Sequence, residues 1–269
     1  MNTSRPITAR RVFNTFPVAF GLYAFILGMI ALVSYNGAKH MGYNWQWYQI
    51  PKYFYTYTDN GFQSGEIITG LWATIVLSGI SFSLAVVLGL IIALLRLSGL
   101  VVGKGVSVIY LEFVRNIPLL VLLYLFYYVL GPVFGLGRWI SAVLTLAVFH
   151  SALISEIFRA GINSVATGQS EAAASIGMSR AQAYRYIILP QSVRFMLPPL
   201  FGEVVHLIKS SAIVSVIAVT ELTTTGRNII SDTYMSFEIW FTIAIVYMAL
   251  TLVLSFGLST IERRFKPQT

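Results

Sequence analysis

Cysteine is absent from the 269 residues, so the chain has no disulfide framework, zinc–thiolate site or thiol chemistry. Charge is scarce. Asp, Glu, Lys and Arg make up 10% of the chain, where a soluble domain carries about a quarter. Acidic residues are scarcest, 10 against 18 Lys and Arg, which leaves a formal charge of +8. Histidine occurs only three times, and with Glu112 and Glu156 it forms no spacing such as H-E-x-x-H, so no metal set is read. No Ser-His-Asp order or nucleophile elbow is present. The run from Gly99 to Gly105 is superficially like a P-loop, but it has three intervening residues instead of four, and Gly105 stands where Ser or Thr is required. It reads as a basic turn, and no ATP-binding motif belongs to this chain. No low-complexity segment, long charged linker or internal repeat is found.

What is present is apolar. The chain is 57% hydrophobic with a mean hydropathy of +0.75. Runs of about 20 apolar residues, enough to cross about 30 Å of hydrocarbon, recur along it. This predicts an all-α polytopic transmembrane bundle with six spans, near 13–34, 67–97, 107–130, 138–160, 192–219 and 238–261. Arg5, Arg10 and Arg11 precede the first run, which is too long for a signal-peptide core and reads as a retained helix. The basic residues set an orientation. With the N-terminus inside, Arg96, Lys104, Arg159, Arg180, Arg185, Arg194, Arg263, Arg264 and Lys266 fall on or near the cytoplasmic side, and Lys39, Lys52, Arg138 and Arg227 fall outside. Both termini are therefore expected in the cytoplasm. The positive charge is read as cytoplasmic flanks, not as a nucleic-acid surface.

In the second span, Ser78, Gly79, Ser81, Ser83 and Gly89 are small enough to admit another helix closely. The stretch from Tyr35 to Glu66 carries Tyr43, Trp45, Trp47, Tyr48, Tyr53, Phe54, Tyr55 and Tyr57, rings suited to the headgroup level. One or two short interfacial elements are expected there, with contact to a partner protein as the alternative.

Between the fourth and fifth spans, residues 163–190 are polar and small. Gly168 is expected to break the chain, Ser170 to cap a short helix starting at Glu171, and Ala172, Ala173 and Ala174 to continue it. Gly177 would stop it by adopting the left-handed conformation. A second helical stretch, Ser179–Leu189, would run to Pro190, which starts the return into the membrane. A short helix of small residues parallel to the bilayer makes a peg that another protein can grip.

This segment reads EAAASIGMSRAQAYRYIILP. Glu171-Ala172-Ala173 is followed after three residues by Gly177, after nine more by Ile187, and after one more by Leu189-Pro190. The spacing resembles the EAA signature of the membrane subunits of ATP-binding-cassette (ABC) importers, in particular the polar amino-acid permeases. Further matching stretches are GLWATIVLS, LGLIIALLRLS, YLEFVRNIPLLVLLYLFYY, EVVHLIKSSAIVSVIAVTEL and IERR, so the likeness covers about residues 67–264. The resemblance implies a five-helix permease core in 67–264, with residues 1–66 as an added cytoplasmic tail, first span and aromatic segment. It implies that Glu171, Ala172, Ala173, Gly177, Ile187, Leu189 and Pro190 form the contact with an ATPase. The implied partners are an ABC ATPase dimer, a second identical or homologous permease and an extracytoplasmic amino-acid-binding protein, in a bacterial inner membrane. No cofactor is expected on this chain, since the partner subunit uses the ATP. Two departures are notable. The family often has Lys-Asp-Thr/Ser-Ser-Leu in the fifth span, where this chain has Lys209-Ser210-Ser211-Ala212-Ile213, and Ser155 directly precedes Glu156.

Ionisable groups at membrane depth are costly and are functional candidates. At about 100° per residue, Glu203, His206, Lys209 and Ser210 share one helix face about 120° wide. That face is expected to look into a polar path or the partner subunit, with a structural ion pair between Glu203 and Lys209, or with a neighbouring helix, as the alternative. Arg115 is added as a further path candidate. Glu112 and Arg115 lie three apart before Pro118, which is expected to break or kink the helix, and Glu156 and Arg159 lie three apart in the fourth span. Both are read as structural or gating pairs. His150 is read as a packing residue. The function expected is ATP-driven import of a polar amino acid, with glutamate or aspartate favoured because Ser210 replaces the family's Asp beside Lys209. The rivals are a stand-alone secondary transporter or channel, which would not need the EAA segment, an intramembrane enzyme, which would need catalytic groups, and an exporter, which would carry a fused ATPase.

Overall fold

The computed structural model describes residues 16–58 and 61–265. Arg5, Arg10, Arg11 and Lys266 lie outside them. Two units are distinguished, Met1–Gln46 and Trp47–Thr269. The boundary therefore falls before the aromatic segment ends, not after Glu66. The first unit contains helix α1 (Phe16–His40). Its side chains at Phe20, Phe25, Ile30 and Val33 are exposed, as expected for a helix solvated by hydrocarbon.

The second unit opens with a 3-10 turn (Trp47–Gln49), a short helix α2 (Pro51–Phe54) and strands β1 (Tyr55–Thr58) and β2 (Gly61–Ser64). The strands pair antiparallel, with Tyr55 opposite Ser64 and Thr58 opposite Gly61. This hairpin is more regular than the interfacial elements expected there. Tyr53 is buried in a cluster with Ile67, Leu222, Met235 and Ile239, and Gly65 closes the hairpin onto it. A Cβ on Gly65 would lie 2.2 Å from the Tyr53 carbonyl oxygen, so only glycine fits.

The long helices follow: α3 (Glu66–Leu97), α4 (Val101–Asn116), α5 (Leu119–Phe134), α6 (Arg138–Asn163), α7 (Thr167–Ser175), α8 (Arg180–Ile217), α9 (Leu222–Thr233) and α10 (Ser236–Phe265). Packing is inside-out relative to a soluble protein. Helix α3 buries Thr74, Ser78, Ser81 and Gly89 and exposes Trp72, Val87, Ile91 and Leu94. Lipid tails offer no hydrophobic force between helices, so small residues that permit close approach form the contacts. A Cβ on Gly89 would sit 2.8 Å from Ile154 Cγ2 and 3.0 Å from the Ser151 carbonyl oxygen. Of the small residues singled out from sequence, Gly79 and Ser83 are not on this seam: Gly79 faces open space and Ser83 is exposed.

Contacts fix the helix directions. Leu77 shares a cluster with Val143 and Leu146. Farther along α3, Gly89 meets Ser151 and Ile154, and Arg96 pairs with Glu156. Helices α3 and α6 therefore run parallel. Helix α8 runs against α6, since His150 meets Glu203 while the later Gly161 meets the earlier Met196. Helix α10 advances with α3: Ile67 clusters with Met235 and Ile239, whereas Tyr247 reaches Glu221, next to the Leu222 that bonds Thr74.

Because α3 and α6 are parallel, the chain between them must return across the bundle. That return is α4 plus α5, bent by 106°. The span over 107–130 is thus two helices, broken at Ile117–Pro118 as the proline suggests, because Pro118 lacks an amide hydrogen and disfavours a helical residue before it. Ile117 is accordingly extended (φ −101°, ψ 127°). With this pair counted as one broken span, six segments among the described residues are long and apolar enough to cross a membrane.

Both π-helical stretches precede a proline. Leu125–Leu130 lies ahead of Pro132, and Tyr184–Ile188 ahead of Pro190. A proline ring clashes with the carbonyl four residues back in an α-helix, and the wider π turn relieves that clash. Pro190 therefore does not interrupt the chain as the sequence suggests. Helix α8 continues through it.

Candidate functional site: the coupling segment and two ion clusters

The segment that carries the EAA-like spacing begins three residues after α6. Helix α7 starts at Thr167, earlier than expected, with Ala166 at its N-cap and no side-chain cap. Gly168 and Ser170 lie inside it, and the Ser170 hydroxyl donates to the Thr167 carbonyl (2.7 Å) instead of capping Glu171. Thr and Gln at its start are compatible with helix, and one exposed glycine costs only about 1 kcal/mol. The stop is as the sequence suggests. Gly177 is left-handed (φ +80°), its amide bonds the Ala174 carbonyl and the Met178 amide bonds the Ala173 carbonyl, both at 3.0 Å. This is a Schellman stop. Ser179 then caps α8 in a capping box with Gln182.

Only Ala173 of the α7 signature is buried; Glu171, Ala172 and Gly177 are exposed, as are Leu189 and Pro190, with Ile187 half-buried. Between α7 and the start of α8 lies a groove of about 480 Å³, whose lining includes Glu171, Ala174, Met178, Arg180 and Tyr184. The segment thus presents a small, rigid, outward knob with a shallow cleft behind it.

At the same end of α6, Glu156 is the centre of a four-residue cluster. Arg159 pairs with it at 2.6 Å, Arg115 at 3.3 Å, and Arg96 in direct contact. One carboxylate from α6 thereby holds guanidinium groups from α3, α4 and α6. The expected Glu112–Arg115 pair is not formed. Glu112 instead accepts from the Asn116 side-chain amide at 3.0 Å, one turn along the same helix, and Arg115 reaches across to Glu156. Arg115 is thus engaged here and not with the acidic face of α8.

The second ion cluster lies between α6 and α8. His150 is fully buried, and its Nδ1 lies 2.5 Å from Glu203 Oε1. His206 Nδ1 lies 3.6 Å from Glu203 Oε2. The two imidazoles meet edge to face with centroids 5.3 Å apart. Nε2 of His150 is buried without a hydrogen-bond partner. The Glu203–Lys209 ion pair held open from sequence is absent: Lys209 is exposed and has no ion-pair partner among the described residues, and Ser210 is half-buried. His150 is more than a packing residue, since it supplies the partner of Glu203. Together, His150, Glu203 and His206 offer three ligand atoms within 4.8 Å of one another. No linear motif announces this grouping, since His150 and Glu203 are 53 residues apart. The i,i+3 step from Glu203 to His206 was the only signal available.

Residues 85–267 match the family described as the binding-protein-dependent transport system inner membrane component. The chain belongs to this family. The permease is 36% identical over 199 residues to the probable glutamine ABC transporter permease protein GlnM of Bacillus subtilis (strain 168), covering 73% of this chain and 92% of that one. It is 34% identical over 203 residues to the glutamine transport system permease protein GlnP of Escherichia coli (strain K12), covering 74% and 93%. Among solved structures, a crystal structure of an amino acid ABC transporter with histidines superposes with a TM-score of 0.70 at 42% identity, over 74% of this chain and 94% of that one. The permease is therefore a membrane subunit of an amino-acid ABC importer, a multi-pass protein of the inner membrane and a translocation component.

Proposed function

We propose that this permease forms one half of the translocation path of an ATP-driven importer of a polar amino acid, with glutamate or aspartate as the favoured substrate. The observation that carries the substrate reading is the charge balance on α8. Glu203 is engaged by His150 and His206, while Lys209 is exposed without an ion-pair partner among the described residues. An exposed cation beside a carboxylate already engaged by two imidazoles suits a substrate carboxylate, and a cationic substrate would find no free acid there. His206, Lys209 and Ser210 are the residues assigned to the path. Arg115, spent on Glu156, is withdrawn from it. A neutral amide substrate is the second reading, favoured by the relatives named for glutamine.

Glu171, Ala172, Ala173, Gly177, Ile187, Leu189 and Pro190 are assigned to contact with a separate ATPase dimer. The exposed α7 knob supports this. A second permease and an extracytoplasmic binding protein complete the assembly, and both termini are assigned to the cytoplasm. ATP is used by the partner and no cofactor is assigned to this chain.

Uptake of labelled amino acids by the reconstituted complex tests the substrate. Glutamate or aspartate uptake is expected, weakened by Ser210→Asp through like-charge repulsion. A preference for arginine or lysine would refute the charge argument and leave the importer standing. A Gly177→Asp permease that still inserts but no longer couples ATP hydrolysis to uptake is expected, and normal uptake would refute the coupling assignment.

A further inference from the structure

We propose that a cleft between α3, α6 and the start of α8 holds one acyl chain of an anionic phospholipid, with the headgroup on Arg185. The cleft measures about 510 Å³, within the roughly 300–1,000 Å³ of small-molecule sites. Leu90 and Leu94 of α3, Phe158 and Ile162 of α6 and Val193 of α8 line it. Met196, buried against Gly161, completes the lining from α8. Arg185 is its one charged member among the described residues. Leu94 precedes Arg96 by two residues and Phe158 follows Glu156 by two. The cleft therefore lies at the level where apolar spans give way to charged ends, which is where acyl chains meet their headgroups.

The apolar lining offers water too few hydrogen-bond partners to hold it. Lipid tails are as apolar as leucine, so a chain gains no hydrophobic energy by leaving the bilayer for the cleft. Selectivity must come from the headgroup, and Arg185 supplies it. Its guanidinium is exposed, lies 5.7 Å from the Tyr186 ring centroid and pairs with no carboxylate among the described residues. A guanidinium so placed presents its N–H edge to a phosphate in two-point contact, and a basic pocket between spans suits an anionic headgroup. A zwitterionic lipid brings its own ammonium beside the phosphate and gains less. Tyr184 and Ile188 line both this cleft and the groove behind α7, so a seated chain would brace that groove's wall. This last consequence rests on the coupling assignment above; the binding does not.

The test uses the full-length permease in nanodiscs of phosphatidylglycerol and phosphatidylethanolamine in equal parts, doped with either lipid carrying a photoactivatable group on one acyl chain. No ATPase or amino acid is present, so the result is independent of the coupling and substrate readings. The phosphatidylglycerol probe should label peptides containing Leu94 and Val193 about fivefold more than the phosphatidylethanolamine probe, the preference that one interfacial arginine provides. Arg185→Gln, at an exposed position, should erase that preference while labelling persists. Leu94→Trp, which fills the cleft, should abolish labelling at Val193. Ile91→Trp, exposed on α3 but outside the lining, should leave it unchanged. Equal labelling by both probes, or labelling spread evenly over the exposed faces of α3 and α10, would mean ordinary boundary lipid and overturn the proposal. The reconstituted complex should give the same pattern. Loss of labelling there would mean that a second permease covers the cleft, and would overturn it too.

Discussion

At Glu221 a single buried carboxylate organises one end of the bundle. It accepts the Thr224 amide at 2.6 Å and the Thr223 amide at 2.8 Å, capping α9, and the Tyr247 hydroxyl donates to it at 2.9 Å from α10. Burial raises its pKa above the ordinary 4.5, and these hydrogen bonds only partly offset that. The folded state then holds this proton more tightly than the unfolded state does. The stabilising contribution is complete below the ordinary Glu pKa and is lost as pH rises through the folded value. The midpoint of thermal unfolding in detergent should therefore fall as pH climbs from 4.5, and Glu221→Gln should flatten that part of the profile. A wild-type midpoint that rises over the same window would contradict the assignment. Replacement by Ala, which strips the cap, should cost about 1–2 kcal/mol.

Among the elements, α7 is the one whose shape follows most directly from its residues. Gly177 needs its left-handed φ, and a Cβ there would meet no atom within 4 Å, so the cost of substitution is conformational and not steric. Gly177→Ala should destabilise the stop by about 1 kcal/mol and Gly177→Asn by less, readable as faster amide exchange in 167–178 for Ala than for Asn. Equal exchange in both would separate the stop from the backbone conformation. This signal was legible because glycine at a helix end has one dominant use. The start of α7 was misread because a glycine and a serine inside a polar run look like a break and a cap, yet an exposed glycine is tolerated once the rest of the turn is helical. Spans were visible from hydropathy, and the break at Pro118 from chemistry. The continuity through Pro190 was not visible, since it depends on a π turn that no periodicity announces. The hairpin at 55–64 was hidden by aromatics that suit an interface and a strand equally. Partners over long range were least legible. Arg115 had an acid three residues away and another 41 positions on, and only packing of α4 against α6 decides for Glu156.

For the molecule as a whole, the helix directions make a topological statement. The 97–101 turn, the 163–180 segment and the end of α10 share one side, and the hairpin and the α5–α6 turn lie on the other. Reporters inserted near Gly168 and after Thr269 should be active in the cytoplasm, and one near Asp59 should be silent. Matching signals from Asp59 and Gly168 would break the alternation of α3, α6, α8 and α10.

The Glu156 cluster has a mechanical consequence. A charge shared among guanidinium groups from three helices acts as a rivet: sliding any one helix end pulls its guanidinium off the shared carboxylate. The ends of α3, α4 and α6 that meet at Glu156 should then travel as one plate, to which α7 is tied by the three-residue strap after α6. The missing cysteines make this measurable, since a pair of introduced thiols is the only pair to label. Spin labels at Ser98 and Ser164 should keep a constant separation between nucleotide-free and ATP-bound complexes. In Glu156→Gln the same pair should broaden into a distribution, as the plate comes apart into separate helices.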